Sequence, residues 1–250
     1  MASPTFKVAS GDVPSVPSSL NQAKQAIRVL EKSLPLLIPE HTAKVIIFDF
    51  DGTIADSFDA VFNISNRLAG QFGYPQTPLE DVNKLKSLSS REILRRSKVP
   101  FFKLPFLLRR LRIELNREIA RLQPIPGIKE ALLELKQQGH HLGIVTSNSK
   151  QNVIAFLEAQ AMDDLFDFID SGLTLFGKGR IIQQILHQNR IDPTTAIYVG
   201  DETRDVEAAR KIGIKVIAVC WGFNSCDVLA AQNPDVIIHK PAELATATTF

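Results

Sequence analysis

Two carboxylates lie directly after an apolar run near position 50. The run from Val45 to Phe48 is followed by Asp49 and Asp51, with a glycine at the next position. A buried parallel strand here would deliver both carboxylates to the carboxyl edge of its sheet, where open α/β proteins bind ligands. Two like charges this close raise each other's pKa unless a cation lies between them, and carboxylate oxygens suit Mg²⁺. The segment therefore predicts a cation site that includes Asp49 and Asp51.

Strand patterns and helix patterns alternate along most of the chain, which predicts a parallel sheet with right-handed crossovers. After the first strand, strand patterns cover residues 141–147, 166–170, 196–200, 214–220 and 235–238. Helix patterns cover residues 127–138, 150–160, 179–189 and 203–212. A further helix is predicted over residues 20–34, where apolar residues recur at helical spacing. The fold class expected from this order is α/β.

Residues 57–124 break the alternation, because they contain helix patterns and no convincing strand pattern. From Leu104 to Leu122 the apolar positions form one stripe, and Arg110 can pair with Glu114 one turn later. The segment holds 13 Lys and Arg residues against 6 Asp and Glu residues. A basic amphipathic helix also suits a membrane surface, but packing within a small helical bundle is the interpretation we favour.

Four further polar residues stand at the ends of predicted strands or the starts of predicted helices. Thr146 ends the second strand pattern, and Lys178 heads a helix pattern. Asp201 follows the strand pattern of residues 196–200, and Asp205 comes one helical turn later, so both carboxylates can face the same point. Capping of a helix would explain an acid near position 201, but not the second acid four residues on.

These segments, taken in order, resemble the haloacid dehalogenase superfamily, and specifically its phosphoglycolate phosphatase-like branch with a helical cap. The resemblance rests on Asp-Phe-Asp-Gly-Thr at residues 49–53, on Thr146, on Lys178 and on Gly-Asp-Glu-Thr-Arg-Asp at residues 200–205. It spans roughly residues 44–240. It implies a Rossmann-like three-layer core with a parallel sheet in residues 20–56 and 125–250. Residues 57–124 would be a small all-helical cap, and residues 1–19 a mobile segment.

The resemblance also assigns roles to the acidic residues. Asp49 would be the nucleophile that forms an aspartyl-phosphate, and Asp51 the acid and base that serves the leaving group and then water. Mg²⁺ would be held by Asp49, Asp201 and the main-chain carbonyl of Asp51. Asp205 would orient Lys178 or a metal-bound water from the second layer of contacts.

Thr146 and Lys178 are the phosphate-binding residues that the resemblance implies. Many relatives follow this lysine with proline, whereas Gly179 follows it here. Asn148 is left open between a substrate contact and a helix cap. Two neighbours of the acidic motif, Glu202 and Arg204, are expected to face solvent.

The function that follows is a Mg²⁺-dependent phosphatase of a small-molecule phosphate monoester, similar to phosphoglycolate. The partner would be a small anionic phosphorylated metabolite, with no nucleic acid and no integral membrane contact, and the protein a monomer or homodimer. A phosphosugar mutase of the same superfamily is the first alternative. A non-catalytic scaffold or membrane-surface protein that uses the basic cap is the second. A dehalogenase is disfavoured, because that branch needs neither Asp51 nor a metal.

Composition agrees with a soluble enzyme. The formal net charge is +2, and no apolar run approaches the length of about 20 residues that spans a bilayer. The two cysteines, Cys220 and Cys226, predict neither a disulfide framework nor a zinc site, and Cys220 is expected to be a free buried thiol. We therefore expect a reducing, cytoplasmic location. Organellar targeting by the Ser-rich and Pro-rich start of the chain is the alternative.

Overall fold

The computed structural model describes residues 43–172 and 177–249, which contain a six-stranded sheet. Its strands are β1 (Val45–Phe48), β2 (His141–Thr146), β3 (Phe168–Ser171), β4 (Ala196–Gly200), β5 (Lys215–Val219) and β6 (Val236–Ile238). Their spatial order is β3-β2-β1-β4-β5-β6, and every pairing is parallel. The predicted α/β fold with a parallel sheet is confirmed. The predicted segment 1–19 and the predicted helix over residues 20–34 lie outside the described residues.

Both faces of the sheet are covered by packed side chains, as the four apolar residues of the central strand β1 lead us to expect. All four of its side chains are fully buried. Val45 and Ile47 pack into one apolar cluster, whereas Ile46 and Phe48 pack into a second cluster on the opposite face. Because successive strand residues point to opposite faces, an unbroken apolar run fits a strand buried on both sides. The result is the expected three-layer core.

Ten α-helices lie in the described residues, and the four that correspond to the helix patterns of residues 127–138, 150–160, 179–189 and 203–212 have bounds within one residue of the predicted ones. The first four are α1 (Phe58–Phe72), α2 (Val82–Lys86), α3 (Ser90–Ser97) and α4 (Leu104–Asn116). The next three are α5 (Ile128–Gln137), α6 (Lys150–Ala159) and α7 (Lys178–Gln188). The last three are α8 (Thr203–Ile212), α9 (Cys226–Ala230) and α10 (Leu244–Ala247). The apolar stripe predicted from Leu104 to Leu122 is divided, because α4 ends at Asn116 and a 3₁₀ turn, Ile119–Arg121, follows.

Helices α1 to α4 form a wholly helical insert between β1 and α5, and no strand occurs in residues 57–124. The predicted ion pair between Arg110 and Glu114 is present at 2.7 Å. The two chain segments that lead into and out of the insert run side by side, because Ala55 and Pro124 form an antiparallel bridge. An adjacent hydrogen bond joins the N–H of Ile125 to the carbonyl of Ile54 at 2.9 Å. The division of the chain into core and cap domains stays a prediction.

The cysteines differ from the expectation. Cys220 and Cys226 are joined in a disulfide, with 5.0 Å between their Cα atoms. The prediction of a free buried thiol at Cys220 is wrong, because the loop after β5 turns back into α9 and brings the two residues together. Their spacing in the sequence did not reveal this turn. Within the described ranges, no helix combines the length and hydropathy needed to cross a bilayer.

Candidate active site

Strands β1, β2 and β4 are neighbours, and their carboxyl ends meet at one edge of the sheet. Phe48 lies opposite Ile144 on one side and Val199 on the other. The residues that follow these strands therefore share one cleft. Asp49 continues the ladder, because its N–H donates to the carbonyl of Val199 at 2.8 Å. Thr146 ends β2 at the same edge and is buried.

Three carboxylates gather at this edge. One oxygen from each of Asp49, Asp201 and Asp205 lies within 4.8 Å of the others, and all three residues are buried. Burial raises the pKa of Asp49 and, with the nearby Glu202 adding to it, raises that of Asp201 well above the usual range. Burial also raises the pKa of Asp205, to about 6. Burial disfavours the ionised form of all three carboxyl groups, so a nearby positive charge is needed to keep them ionised.

Lys178 supplies part of that positive charge. Its Nζ donates to Oδ1 of Asp205 at 2.6 Å and forms an ion pair with Oδ2 of Asp49. Burial acts to lower the pKa of Lys178, but the carboxylates of Asp205 and Asp49 outweigh it, so the net shift is upward. Lys178 is the first residue of α7, and a Cβ on the following Gly179 would lie 3.4 Å from the carbonyl oxygen of Ala208. That distance is an ordinary van der Waals contact, so the packing of α7 on α8 does not explain why glycine follows Lys178 here.

Glu202 and Arg204 form a second ion pair beside the cluster, and their side chains are only 15% and 9% exposed. The expectation that both face solvent is wrong. The helical insert covers them: Ser90, at the start of α3, donates its hydroxyl to Oε2 of Glu202 at 2.8 Å. Burial acts to lower the pKa of Arg204, but Glu202 and Asp205 raise it overall. A helix pattern alone does not show which of its faces an insert will cover.

The site has more negative than positive groups. Its acidic side chains are Asp49, Asp51, Asp201, Glu202 and Asp205, and its buried cations are Lys178 and Arg204. The acidic groups outnumber the buried cations by three, and a divalent cation would favour their ionised forms. Because the clustered donors are all carboxylate oxygens, with no nitrogen or sulfur, they fit a hard ion such as Mg²⁺.

Asp51 lies two residues after Asp49, and its hydrogen-bond partners differ from those of the three clustered carboxylates. The side-chain amide of Asn148 donates to Oδ2 of Asp51 at 3.0 Å. The backbone N–H of Asn148 donates to the hydroxyl oxygen of Thr146 at 2.9 Å. Burial raises the pKa of Asp51, opposed by its hydrogen bonds. Ser149 rather than Asn148 caps α6, so the helix-cap alternative for Asn148 is wrong, and the substrate contact stays a prediction.

Close backbone approaches hold Asp201 in place. Its Oδ1 accepts the hydroxyl of Thr53 at 2.6 Å, and its Oδ2 accepts the N–H of Phe223 at 2.7 Å. A Cβ on Gly222 would lie 2.1 Å from this Oδ2, and one on Gly52, whose φ is +78°, would lie 2.4 Å away. Only glycine permits these distances. Thr53 lies within the first motif, but nothing in its residue type or spacing predicted this hydrogen bond.

The loop after β5, which carries Gly222 and Phe223, contacts both the core and the insert. Asn224 accepts the N–H of Thr203 at 2.9 Å and donates to the carbonyl of Leu88 at 2.8 Å. Lys86 of the insert donates to the carbonyl of Gly222 at 3.0 Å. The segment from Gly222 to Asn224 is therefore placed between a candidate metal ligand and the insert, an arrangement that the sequence pattern did not predict.

One arginine of the insert also faces the site. Arg112 donates to the carbonyl of Gly172 at 2.7 Å. Burial lowers the pKa of its guanidinium, and the carboxylate of Asp51 opposes that shift. The backbone carbonyl of Arg112 accepts from Asn152, whose side chain also donates to Asn148 at 2.9 Å. Among the basic residues of the insert, nothing in the sequence distinguished Arg112.

Comparison with known proteins adds independent findings. The family of haloacid dehalogenase-like hydrolases matches residues 46–219. A phosphoglycolate phosphatase of Synechococcus elongatus is 40% identical over 206 residues, which cover 82% of this chain and 97% of that protein. A pyrophosphatase of Bacillus mycoides is 25% identical over 205 residues, which cover 80% of this chain and 94% of that protein. A solved haloacid dehalogenase-like hydrolase of Streptococcus pneumoniae has a TM-score of 0.68 at 24% identity, covering 82% of this chain and 98% of its own.

Proposed function

The chain belongs to the haloacid dehalogenase-like hydrolases and is a phosphatase of that family, and from this premise we propose that it is a Mg²⁺-dependent phosphatase of phosphoglycolate or a closely similar phosphate monoester. The observation that carries the proposal is the group of three buried carboxylates at the sheet edge, with Lys178 paired to two of them. Such a site has an anionic nucleophile and a need for added positive charge, which are the requirements of phosphoryl transfer.

Asp49 is the proposed nucleophile. Its carboxylate attacks phosphorus, the bond from phosphorus to the ester oxygen breaks, and Asp51 gives its proton to the departing oxygen. Asp51 then takes a proton from water, which attacks the aspartyl-phosphate and releases inorganic phosphate and free Asp49. The raised pKa of Asp51, caused by burial, supports its role as the proton donor.

Lys178 and Arg204 supply positive charge to the site, and the hydroxyl of Thr146 is a neutral hydrogen-bond donor at the same edge. We propose that Asp49, Asp201 and the main-chain carbonyl of Asp51 hold Mg²⁺, which would neutralise charge on the transferred phosphoryl group. Lys178 and Thr146 would bind phosphoryl oxygens. Asp205 would orient Lys178, a role supported by their 2.6 Å hydrogen bond.

The name of the relative from Synechococcus elongatus suggests the substrate. Phosphoglycolate carries a carboxylate close to its phosphate, and the insert offers Arg112 near Asp51 as a partner for that second charge. We propose that residues 57–124 act as a cap that brings Arg112 to the substrate and excludes water. The paired connections at Ala55 and Pro124 support a cap joined at one place.

Phosphate release by the purified protein tests the proposal. The substrates would be phosphoglycolate, pyrophosphate, an aryl phosphate and a hexose 1-phosphate, each with Mg²⁺ and with EDTA, and Asp49→Asn as the inactive control. We expect Mg²⁺-dependent release, with phosphoglycolate preferred. Turnover that is equal in wild type and Asp49→Asn across the panel would overturn the catalytic assignment.

Arg112→Leu tests the substrate separately from the chemistry. If Arg112 binds the carboxylate, KM for phosphoglycolate rises about tenfold or more, because a charge-assisted hydrogen bond is lost, while KM for the aryl phosphate changes little. Equal changes for both substrates would reject this role. Conversion of the hexose 1-phosphate to its 6-phosphate would instead support the mutase alternative. A monomer or homodimer, and a cytoplasmic or organellar location, stay predictions.

A further inference from the structure

Helix α4 and the 3₁₀ turn before it (Phe101–Lys103) carry apolar side chains on an exposed face as well as on the buried one. Leu104 and Leu115 are buried, as the predicted inner stripe requires. Phe102, Phe106 and Ile113 are 71%, 65% and 43% exposed. Their spacing of four and seven residues places them along one side of the helix. An exposed apolar row of this kind marks an interaction surface rather than a single chance exposure.

The adjacent Phe101 is the most exposed of these residues, at 82%. Phe101, Phe102 and Phe106 are called the aromatic tip below. They lie within residues 93–113, which contain seven Lys and Arg residues and no Asp or Glu. Within the described ranges, five of these basic side chains have no carboxylate oxygen within 4.0 Å; they are Arg95, Arg96, Lys98, Lys103 and Arg109.

A cavity of about 460 Å³ opens beside the aromatic tip. Leu94, Val99 and Leu104 give it apolar walls, and Arg95 and Lys98 give it a basic rim. Apolar surface and unpaired positive charge are therefore combined around the same end of α4.

We propose that the aromatic tip binds an anionic lipid surface. The three rings insert at the boundary between headgroups and acyl chains, and the neighbouring lysines and arginines contact the lipid phosphates. Phenylalanine side chains have no hydrogen-bonding group to satisfy in that layer. Because they project from the insert, they reach a flat surface without a concave partner.

The charge distribution favours an anionic lipid surface over a second copy of the chain as the partner of the aromatic tip. Two such tips placed face to face would bring two basic, acid-free segments together, and like charges across an interface disfavour association. An acidic protein would satisfy the charges, but the projecting rings would then need pockets on that partner. An anionic bilayer satisfies both features of the tip at once.

Vesicle sedimentation of the full chain tests the proposal. Vesicles of phosphatidylglycerol and phosphatidylcholine are compared with vesicles of phosphatidylcholine alone. We expect binding to the anionic vesicles only, weakened severalfold when the salt concentration rises from about 0.1 M to about 0.5 M, because screening shortens the range of the charges. The proposal does not depend on the substrate of the enzyme.

Two variants measure separately how much the aromatic rings and the positive charges contribute to vesicle binding. Phe101→Ser with Phe102→Ser lowers vesicle partitioning by about tenfold or more, because two rings no longer leave water. Its matched control is Leu133→Ser with Ile154→Ser, at exposed apolar positions of α5 and α6, which leaves binding unchanged. Both double variants keep phosphatase activity if they are folded, since none of the four positions lies in the site.

The charge variant is Arg95→Gln, Arg96→Gln and Lys103→Gln, with an expected loss of about tenfold or more at low salt. Its control removes three exposed lysines of the core: Lys150, Lys211 and Lys240.

Three results would overturn the proposal. One is the absence of binding to anionic vesicles by an active wild-type protein. Another is a wild-type dimer that the tip variant converts to a monomer, without vesicle binding. The third is equal loss of binding in the variants and their controls. Retention of an acidic polypeptide with no lipid binding would assign the surface to a protein partner instead.

Discussion

Replacement of Lys178 by methionine tests whether the carboxylate cluster depends on this buried cation. The side chain of Lys178 is 3% exposed and lies 2.6 Å from Oδ1 of Asp205. At that separation the attraction is about 6 kcal/mol for an effective dielectric constant of about 20. Removal of a buried ammonium group returns several kcal/mol of desolvation cost. Because Asp49 and Asp205 can also take up protons once the cation is gone, we expect a net loss of about 3 kcal/mol in the free energy of unfolding.

Thermal unfolding in EDTA measures this loss. For a chain of this size, about 3 kcal/mol corresponds to a fall in Tm of about 6–12 °C. Added Mg²⁺ should raise the Tm of Lys178→Met more than that of the wild type, because the metal then supplies the missing positive charge. Melting is the informative measurement, since loss of activity alone would not separate charge balance from a contact with substrate.

Arg180→Met is the matched control. Arg180 lies two residues further along α7 and is exposed, so its replacement should change the Tm by no more than about 1–2 °C. If Lys178→Met melts like Arg180→Met in the absence of metal, the carboxylates do not rely on Lys178, and our account of the site's electrostatics fails.

Three other changes have defined outcomes. Gly222→Ala should abolish Mg²⁺ binding, because the new Cβ would lie 2.1 Å from Oδ2 of Asp201; isothermal titration calorimetry with Mg²⁺ measures this loss. Reduction of the disulfide between Cys220 and Cys226 should lower the free energy of unfolding by about 2 kcal/mol, measured by urea titration with and without dithiothreitol. Acidification from pH 7.5 to 5 should lower the Tm of the wild type more than that of His140→Gln. Burial lowers the pKa of His140, so the stability that its neutral form provides is present above its usual pKa of 6.5 and is lost as the pH falls through the lowered pKa.

Each of these changes has a control in the same chain. Gly70→Ala places its Cβ in open space and should leave Mg²⁺ binding unchanged. A variant with serine at both cysteine positions should show no effect of dithiothreitol. The neutral Nδ1 of His140 accepts the N–H of Lys44 at 3.1 Å, and protonation of this nitrogen would remove the acceptor. Identical pH profiles for wild type and His140→Gln would show that this hydrogen bond contributes no acid sensitivity.

The placement of the central acidic residues could be predicted because it depends on strand ends alone. An unbroken apolar run predicts a strand that is buried on both faces, and the residue after each parallel strand reaches the same edge. Asp49, Thr146 and Asp201 therefore come together without any knowledge of loop structure. The wrong expectation for Glu202 and Arg204 has the opposite cause. Their burial depends on the helical insert, whose position over the site is not encoded by any local period.

The loop after β5 could not be predicted for a related reason. Its contact with Asp201 is made by the backbone N–H of Phe223, a group that every residue type except proline carries. Only the glycines signal a close approach, and Gly222 does so without indicating its partner. The disulfide between Cys220 and Cys226 closes this same loop. The spacing of the two cysteines therefore could not be interpreted until the conformation of the loop around Asp201 was known.

The insert and the proposed metal site are connected through this loop, and we expect that connection to have a functional consequence. Asp201 accepts the N–H of Phe223, and the next residue, Asn224, donates to the carbonyl of Leu88 in the insert. Two residues after Leu88, Ser90 of the insert donates to Glu202, which follows Asp201 directly. A movement of the insert that breaks either contact would disturb the neighbours of Asp201. If the insert acts as a cap, opening to release product should therefore weaken Mg²⁺ binding, and closing on substrate should strengthen it, because the two equilibria share these hydrogen bonds.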